Sequence, residues 1–105
     1  MTDTPTSRTI ETVLFKLVPG ADPQAFRDAS AGVTRFVEQR PGFIARRLSH
    51  TEDGTWIEHI EWAGLAEARA AAAEIGKDPS LAEFMKAIDG PSVQLFHSTL
   101  AISVN

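Results

Sequence analysis

Four residues with titratable or charged side chains interrupt segments that otherwise consist of large apolar residues. All four fall at alternating strand positions shared with valine, phenylalanine, isoleucine and tryptophan, and they are Glu11, Arg47, Glu58 and His97. A buried charge without a partner is costly, so each group should be paired, lie at a wet edge or line a cavity. Histidine has an ordinary pKa of about 6.5, which suits a general base, and arginine stabilises an oxyanion. We therefore predict His97 as a catalytic base and Arg47 as an oxyanion partner.

The same four residues also have a purely structural interpretation. Arg47 and Glu58 lie on neighbouring predicted strands and can form a cross-strand ion pair. His97 can be hydrogen-bonded inside the core. Because perturbed buried groups often serve structure, the residue types leave both interpretations open.

Aromatic residues are expected to surround these groups. Flat rings can form the wall of an apolar cavity for an aromatic ligand, and they are also the ordinary material of a small core. Gly32, in the middle of a predicted helix, indicates either space above the sheet or close helix packing. The predicted substrate-binding residues are Phe15, Trp62, Glu58, Phe36 and Phe84, and Trp56, Phe26 and Phe43 are further aromatic candidates.

The stretch DGTWIEHIEW contains His59 and Glu61, two positions apart on one predicted strand face, which is half of a metal site. A third ligand has to come from His50 or from a partner chain, and a polar cluster at a subunit interface is the favoured interpretation. The chain has no cysteine, which excludes disulfides and thiolate nucleophiles. No P-loop, dinucleotide-binding, G-x-S-x-G or H-E-x-x-H motif occurs, so we predict neither a metal nor a cofactor.

Hydrophobic periodicity and turn signals define the elements that must position these residues. The predicted elements are, in chain order, a strand at 10–18, a helix from Asp22-Pro23 to Pro41-Gly42, a hairpin of strands at 43–50 and 56–62 around Asp53-Gly54, a helix at 65–75, a short helix from Asp78-Pro79 to residue 88, and a strand at 92–102. This order is that of an α+β, ferredoxin-like βαββαβ fold with a split second helix and a four-stranded antiparallel sheet.

Right-handed crossovers place both helical segments on one face of this sheet, and strand phase assigns the four polar residues to that face. The opposite face carries Arg46 and His50 together with a set of apolar residues: Leu14, Val18, Ile44, Leu48, Ile57, Phe96 and Leu100. Such a patch exceeds what a monomer normally exposes, so we predict a homodimer in which two sheets pack face to face. A monomer with a hydrated sheet is the alternative.

Length and charge limit the classes of function. A chain of 105 residues is one domain, with residues 1–9 expected to form a disordered or frayed tail and residues 10–105 the folded domain. The net charge of −4 argues against a nucleic-acid partner. The segment MTDTPTSRT has no apolar stretch, which favours a cytoplasmic protein without a membrane partner.

Four stretches of the chain, ETVLFKLVPG, RFVEQRPGF, DGTW and EWAGLAEARAAA, resemble the antibiotic-biosynthesis-monooxygenase-like domains of the dimeric α/β-barrel superfamily. The resemblance covers roughly residues 10–100. It implies the ferredoxin-like fold and a dimer. The superfamily includes cofactor-free monooxygenases of aromatic polyketides, haem-degrading enzymes, muconolactone isomerases and chlorite dismutase relatives, and fold analogy does not choose among them.

The residues at the positions that matter for haem argue against the haem-degrading branch. Members of that branch place an asparagine on the first strand and a tryptophan and a histidine on the second helix. This sequence has Val13 at the first position, Ala71 near the second, and Leu81 or Ile88 near the third. It therefore lacks the axial imidazole that would hold the iron.

Three functions remain open. The first is a cofactor-independent monooxygenase for an aromatic or polyketide-like small molecule, in which the substrate is deprotonated and its carbanion passes an electron to O₂. The second is a non-catalytic dimer that binds a small hydrophobic metabolite or scaffolds a pathway enzyme. The third is a lactone isomerase, which needs the same base but no O₂.

Overall fold

The computed structural model describes residues 7–104, and within them it has the predicted α+β ferredoxin-like architecture. The strands are β1 (Thr9–Phe15), β2 (Phe43–His50), β3 (Trp56–Trp62) and β4 (Gln94–Thr99), and the helices are α1 (Pro23–Glu38), α2 (Leu65–Ile75) and α3 (Ala82–Lys86). The four strands form one antiparallel sheet in the order β2-β3-β1-β4. Short 3₁₀ turns, Pro79–Leu81 and Gly90–Ser92, precede α3 and β4. None of the helices within residues 7–104 has the length and apolar character needed to span a bilayer.

The observed bounds differ from the prediction mainly at the ends of β1 and β4. β1 begins at Thr9, inside the predicted tail, and ends at Phe15, although Leu17 still forms a bridge with Ile88. β4 begins later than predicted because the Gly90–Ser92 turn occupies its expected start, and it ends at Thr99 rather than at residue 102. Residues 1–6 of the predicted tail lie outside the described residues.

Helix α1 begins at the capping signal that the sequence contains. The Asp22 carboxylate accepts a hydrogen bond from the backbone N–H of Gln24 at 3.1 Å, and Pro23 takes the first helical position. The helix buries one apolar side against the sheet. A Cβ on Gly32 would lie 3.1 Å from Cδ2 of Leu81, so close packing accounts for this glycine.

A β-bulge near the start of β2 adds one residue to that strand. Phe43 lies opposite Trp62 and Ala45 lies opposite Glu61, so Ile44 has no partner on β3. An extra residue of this kind reverses the side-chain phase of everything that follows it in the strand.

The bulge corrects the predicted face assignments of Arg46, Arg47, Leu48 and His50. Arg46, Leu48 and His50 lie opposite the helix-facing residues of β3, whereas Arg47 lies opposite His59 on the outer face. Leu48 packs against the core, and the ring of His50 lies near a buried tryptophan. The predictions that placed Arg47 inside, and Arg46, Leu48 and His50 outside, are wrong because they assumed unbroken alternation.

The other three strands have the predicted phase. Glu11 lies opposite Ile60 on β3 and opposite His97 on β4, and Val13 lies opposite Glu58. Cross-strand partners project from the same face of a sheet, so these side chains share the face that the helices cover.

Gly42 connects α1 to β2 in a conformation that other residues rarely adopt. Its φ is +83°, and a Cβ there would lie 2.5 Å from Cγ of Glu67. We expect Gly42→Ala to lower the free energy of unfolding by about 1–3 kcal/mol, measured by urea denaturation. Gly76→Ala is the matched control, because a Cβ at Gly76 would have no neighbour within 4 Å. Equal effects of the two substitutions would contradict this account.

Candidate functional site

A cavity of about 380 Å³ lies between the helices and the sheet. This volume is within the range of about 300–1,000 Å³ that is typical of small-molecule sites. The strands β1, β3 and β4 contribute its floor, and α1, α2 and α3 contribute its roof. Nearly all of the lining side chains are apolar, so the cavity can hold a flat hydrophobic ligand away from water.

All five residues that were predicted to bind substrate line this cavity, namely Phe15, Phe36, Glu58, Trp62 and Phe84. Phe26 supports the wall from behind. Its ring stacks on that of Phe84 at 4.5 Å and meets the ring of Trp56 edge-on at 4.9 Å. Phe43 packs in the same way against Trp62, with ring centroids 5.9 Å apart. These contacts fix the aromatic wall in one arrangement.

The cavity opens towards solvent beside α3 and β4. Met85, Val93 and Leu95 line it, and each of these residues is 40% exposed or more. Large apolar side chains therefore border the opening.

Two buried glutamates supply the polar part of the wall. Among the described residues that line the cavity, Glu11 and Glu58 are the only ones with titratable side chains, and they are 8% and 6% exposed. Glu11 lies opposite Ile60 and Glu58 lies opposite Val13, so the two carboxylates are diagonal neighbours on adjacent strands. Sequence reasoning placed Glu11 on the correct face but did not identify it as a site residue.

Arg46 is the partner of Glu58. Its Nε and Nη2 atoms donate to the two carboxylate oxygens at 2.8 and 2.7 Å, a bidentate pair between almost fully buried side chains. Nη1 of Arg46 donates to the carbonyl oxygen of Ser30 and to Oγ1 of Thr34, which ties the sheet to α1. The predicted pair of Glu58 with Arg47 is therefore wrong, and the bulge is the reason.

The environment of Glu58 raises its pKa above that of an exposed glutamate. Burial raises the pKa of Glu58 above its ordinary value, while the hydrogen bonds and the charge of Arg46 act in the opposite direction. Glu11 adds a like charge nearby, which also raises this pKa. The carboxylate that faces the cavity is thus more basic than an exposed glutamate.

Glu11 joins the cavity to the edge of the sheet. Nε1 of Trp62 donates to one carboxylate oxygen of Glu11 at 3.2 Å, and Nε2 of His97 lies 3.3 Å from the other. The His97 side chain is 21% exposed and is not part of the cavity wall. The structure thus places the predicted base behind Glu11, on edge strand β4.

Arg47 is exposed on the outer face, away from the cavity, so its predicted position as an oxyanion partner is wrong. His59 and Glu61 lie on the same outer face, and Glu61 forms an ion pair with Arg8 at 2.7 Å. His50 lies on the other side of the sheet and cannot complete a metal site with them. Within residues 7–104, no group of three or more histidine, aspartate or glutamate side chains could hold a metal ion.

The wall residues do not fit a haem group that is held by an axial imidazole. The described residues that line the cavity include no histidine. Haem-degrading relatives were already disfavoured by the sequence, and the position of His97 behind Glu11 gives no alternative ligand.

Comparisons with protein-family models and with curated protein sequences give no match. Solved structures are similar over almost the whole chain. The cofactor-independent oxygenase SnoaB from Streptomyces nogalater has a TM-score of 0.67 at 17% identity, covering 94% of this chain and 96% of its own. The monooxygenase ActVA-Orf6 of Streptomyces coelicolor, in complex with nanaomycin D, has a TM-score of 0.64 at 18% identity, covering 97% and 95%.

The heme-degrading protein Rv3592 from Mycobacterium tuberculosis is also similar, with a TM-score of 0.65 at 19% identity over 95% of this chain and 98% of its own. These three proteins share the fold that the sequence resemblance implied. The chain has the fold of the antibiotic-biosynthesis-monooxygenase-like proteins of the dimeric α/β-barrel superfamily.

Proposed function

We propose that the protein is a cofactor-independent monooxygenase that oxygenates an aromatic, polyketide-like small molecule in the cavity between the helices and the sheet. The observation that carries this proposal is an apolar cavity of about 380 Å³ whose described titratable side chains are two buried carboxylates. The likeness in fold to a cofactor-independent oxygenase and to a monooxygenase supports the same activity.

In the proposed reaction Glu11 accepts the proton of a phenol or enol hydroxyl group of the substrate. His97, with Nε2 3.3 Å from the far oxygen of Glu11, then passes this proton to solvent at the sheet edge. Glu58, held by Arg46, accepts a hydrogen bond from the ligand and orients it. Glu11 therefore contacts the substrate, and His97 relays the proton without contacting the substrate.

The oxygen chemistry needs no external reductant. The deprotonated substrate passes one electron to O₂, and the resulting carbon radical and superoxide combine to form a peroxide. Once protonated, the peroxide loses water as its O–O bond and the remaining C–H bond break, which leaves a carbonyl group. One oxygen atom enters the product and the other enters water. The substrate carbon that becomes the carbonyl group, a CH₂ group in the keto form of the substrate, supplies all four electrons. The apolar wall keeps bulk water away from the carbanion.

Oxygen uptake with an anthrone-type substrate tests the proposal. We expect one O₂ consumed per product, and we expect Ala72→Phe, which adds a large side chain to the cavity wall on α2, to lower the rate by about tenfold or more. Ala73→Phe is the matched control, because Ala73 is exposed on the same helix and does not line the cavity. Turnover that persists without O₂ would point to an isomerase. Tight binding without turnover would point to a non-catalytic binding protein.

We also propose a homodimer through the outer face of the sheet. Leu14, Ile57 and Phe96 project from this face, and Phe96 is 50% exposed. A second copy of the sheet, packed face to face by two-fold symmetry, would bury this mixed apolar and polar surface.

Phe96→Glu is expected to convert the proposed dimer into a monomer, because two added carboxylates would be buried in a symmetric interface. Sedimentation velocity at micromolar concentration measures the change. Leu65→Glu, at an exposed leucine of α2, should leave the dimer intact. A wild-type chain that sediments as a monomer would contradict the proposal.

A further inference from the structure

We infer that the cavity is an acceptor-only site, which binds ligands that carry hydrogen-bond donors and rejects ligands that carry a negative charge. This inference rests on the proposed function in one respect, since it takes the cavity to be the ligand site. It adds the chemical class of the ligand, which the aromatic character of the wall does not specify.

The polar groups that reach the cavity accept hydrogen bonds and do not donate them. An ionised carboxylate has about four lone-pair sites and no donor. Each oxygen of Glu58 receives one hydrogen bond from Arg46, and each oxygen of Glu11 has one partner, Trp62 or His97. Acceptor capacity therefore remains on both glutamates for a ligand.

The donors that stand closest to this wall are already engaged. Nε and Nη2 of Arg46 donate to Glu58, and its Nη1 donates to Ser30 and Thr34. The indole N–H of Trp62 donates to Glu11. Among the described lining residues no other side chain carries a donor, so an anion entering the cavity meets no free side-chain donor.

The charges around the cavity also favour neutral ligands over anions. Arg46 balances the charge of Glu58, and among the described residues the ion-pair partner of Glu11 is His97, which is charged only when it is protonated. An ionised ligand next to these groups would be buried as a like charge without a partner, which is costly. A neutral phenol or enol hydroxyl gains a charge-assisted hydrogen bond to a carboxylate instead.

This selection places the proposed enzyme in a reaction sequence. A substrate that carries a carboxylate is rejected, so where the precursor carries an acid, a decarboxylation or a step that masks the acid has to precede binding. The substrate also has to enter with its hydroxyl group still protonated, and it loses that proton inside the cavity.

Three naphthalene probes test the inference by equilibrium dialysis at pH 7 without O₂. These probes are 2-naphthol, which is neutral and donates a hydrogen bond, naphthalene, which has no polar group, and 2-naphthoate, which is an anion of nearly the same shape. We expect 2-naphthol to bind most tightly, naphthalene less tightly, and 2-naphthoate at least about 30-fold more weakly than 2-naphthol. Equal or tighter binding of 2-naphthoate overturns the inference.

The variant Glu11→Gln tests whether the carboxylate causes the selection. The glutamine amide supplies a donor and removes a charge, so the preference for 2-naphthol over 2-naphthoate should fall by about tenfold. Glu74→Gln, which changes net charge equally at an exposed site on α2, should leave the preference unchanged. An unchanged preference in folded Glu11→Gln protein overturns the inference. If that variant does not fold, the ratio of 2-naphthol affinity to 2-naphthoate affinity in the wild-type protein decides the test.

The outcomes separate this inference from the proposed reaction. Selective binding of 2-naphthol together with no oxygen uptake on any substrate would retain the inference and remove the monooxygenase. Oxygen uptake together with tight 2-naphthoate binding would retain the monooxygenase and overturn the inference. If none of the three probes binds, both the cavity as ligand site and the inference are wrong.

Discussion

Arg46→Met is expected to lower the free energy of unfolding by about 3–5 kcal/mol at pH 7, because it leaves the Glu58 carboxylate buried without its partner. The side chains of Arg46 and Glu58 are only 7% and 8% exposed, so water cannot replace the lost interaction. The substitution also removes the hydrogen bonds to Ser30 and Thr34 that tie the sheet to α1. Urea denaturation followed by circular dichroism measures the effect.

The neighbouring arginine provides the control. Arg47 is exposed on the outer face, so Arg47→Met should change stability by no more than about 0.5 kcal/mol. The double variant Arg46→Met with Glu58→Leu should recover most of the loss, since the uncompensated charge of Glu58 is then removed. A large loss for Arg47→Met beside a small loss for Arg46→Met would mean that β2 has the unbroken phase after all.

The loss caused by Arg46→Met should depend on pH. The pKa of Glu58 is raised in the folded protein, so the folded state binds this proton more tightly than the unfolded chain, whose ordinary value is 4.5. The stabilisation from protonation is fully present below that value and is lost as the pH rises through the folded pKa. Removing Arg46 raises the pKa further, so the destabilisation should be largest at neutral pH and shrink as the pH falls towards 4.5.

Glu11→Gln is expected to lower kcat for oxygen uptake by about 10²–10⁴-fold, the usual contribution of a general base. Its amide cannot accept the substrate proton, whereas the cavity shape is retained. KM should change by no more than a few fold, so the loss appears in kcat. Initial-rate measurements over a range of substrate concentrations, with Glu74→Gln as the control, separate the two parameters.

His97→Ala should have a smaller effect than Glu11→Gln, about tenfold in kcat, because water at the sheet edge can take over a relay beyond Glu11. The side chain of His97 does not line the cavity, so KM should stay near its wild-type value. A Glu11→Gln protein with full kcat, beside an inactive His97→Ala protein, would return the role of base to His97 itself.

Local sequence signals were sufficient for the order of elements. Asp22-Pro23, Asp53-Gly54 and Asp78-Pro79 each marked a boundary that the structure contains, because capping and turn chemistry act within a few residues. The wall residues Phe15 and Trp62 followed from strand phase in the same way. Such features depend on the chain near each residue and on little else.

The bulge and the role of Glu11 could not be obtained in this way. Phe43, Ile44 and Ala45 are all apolar, so no glycine or proline marks the extra residue, and only pairing with β3 reveals it. Glu11 and His97 are direct cross-strand partners on one face. Strand phase predicts the same orientation for both side chains, and only the placement of the helices decides which of the two reaches the cavity.

The extra residue at Ile44 matters for any multiple alignment built around this chain. Here the arginine that pairs with the buried glutamate of β3 stands three positions after the inward residue Phe43. In a relative whose second strand has no bulge, the equivalent arginine would stand two positions after the equivalent aromatic residue. Columns matched without a gap would therefore set Arg46 against an outward residue and make a shared ion pair look absent. A gap opposite Ile44 restores the match and lets covariation between Arg46 and Glu58 be counted.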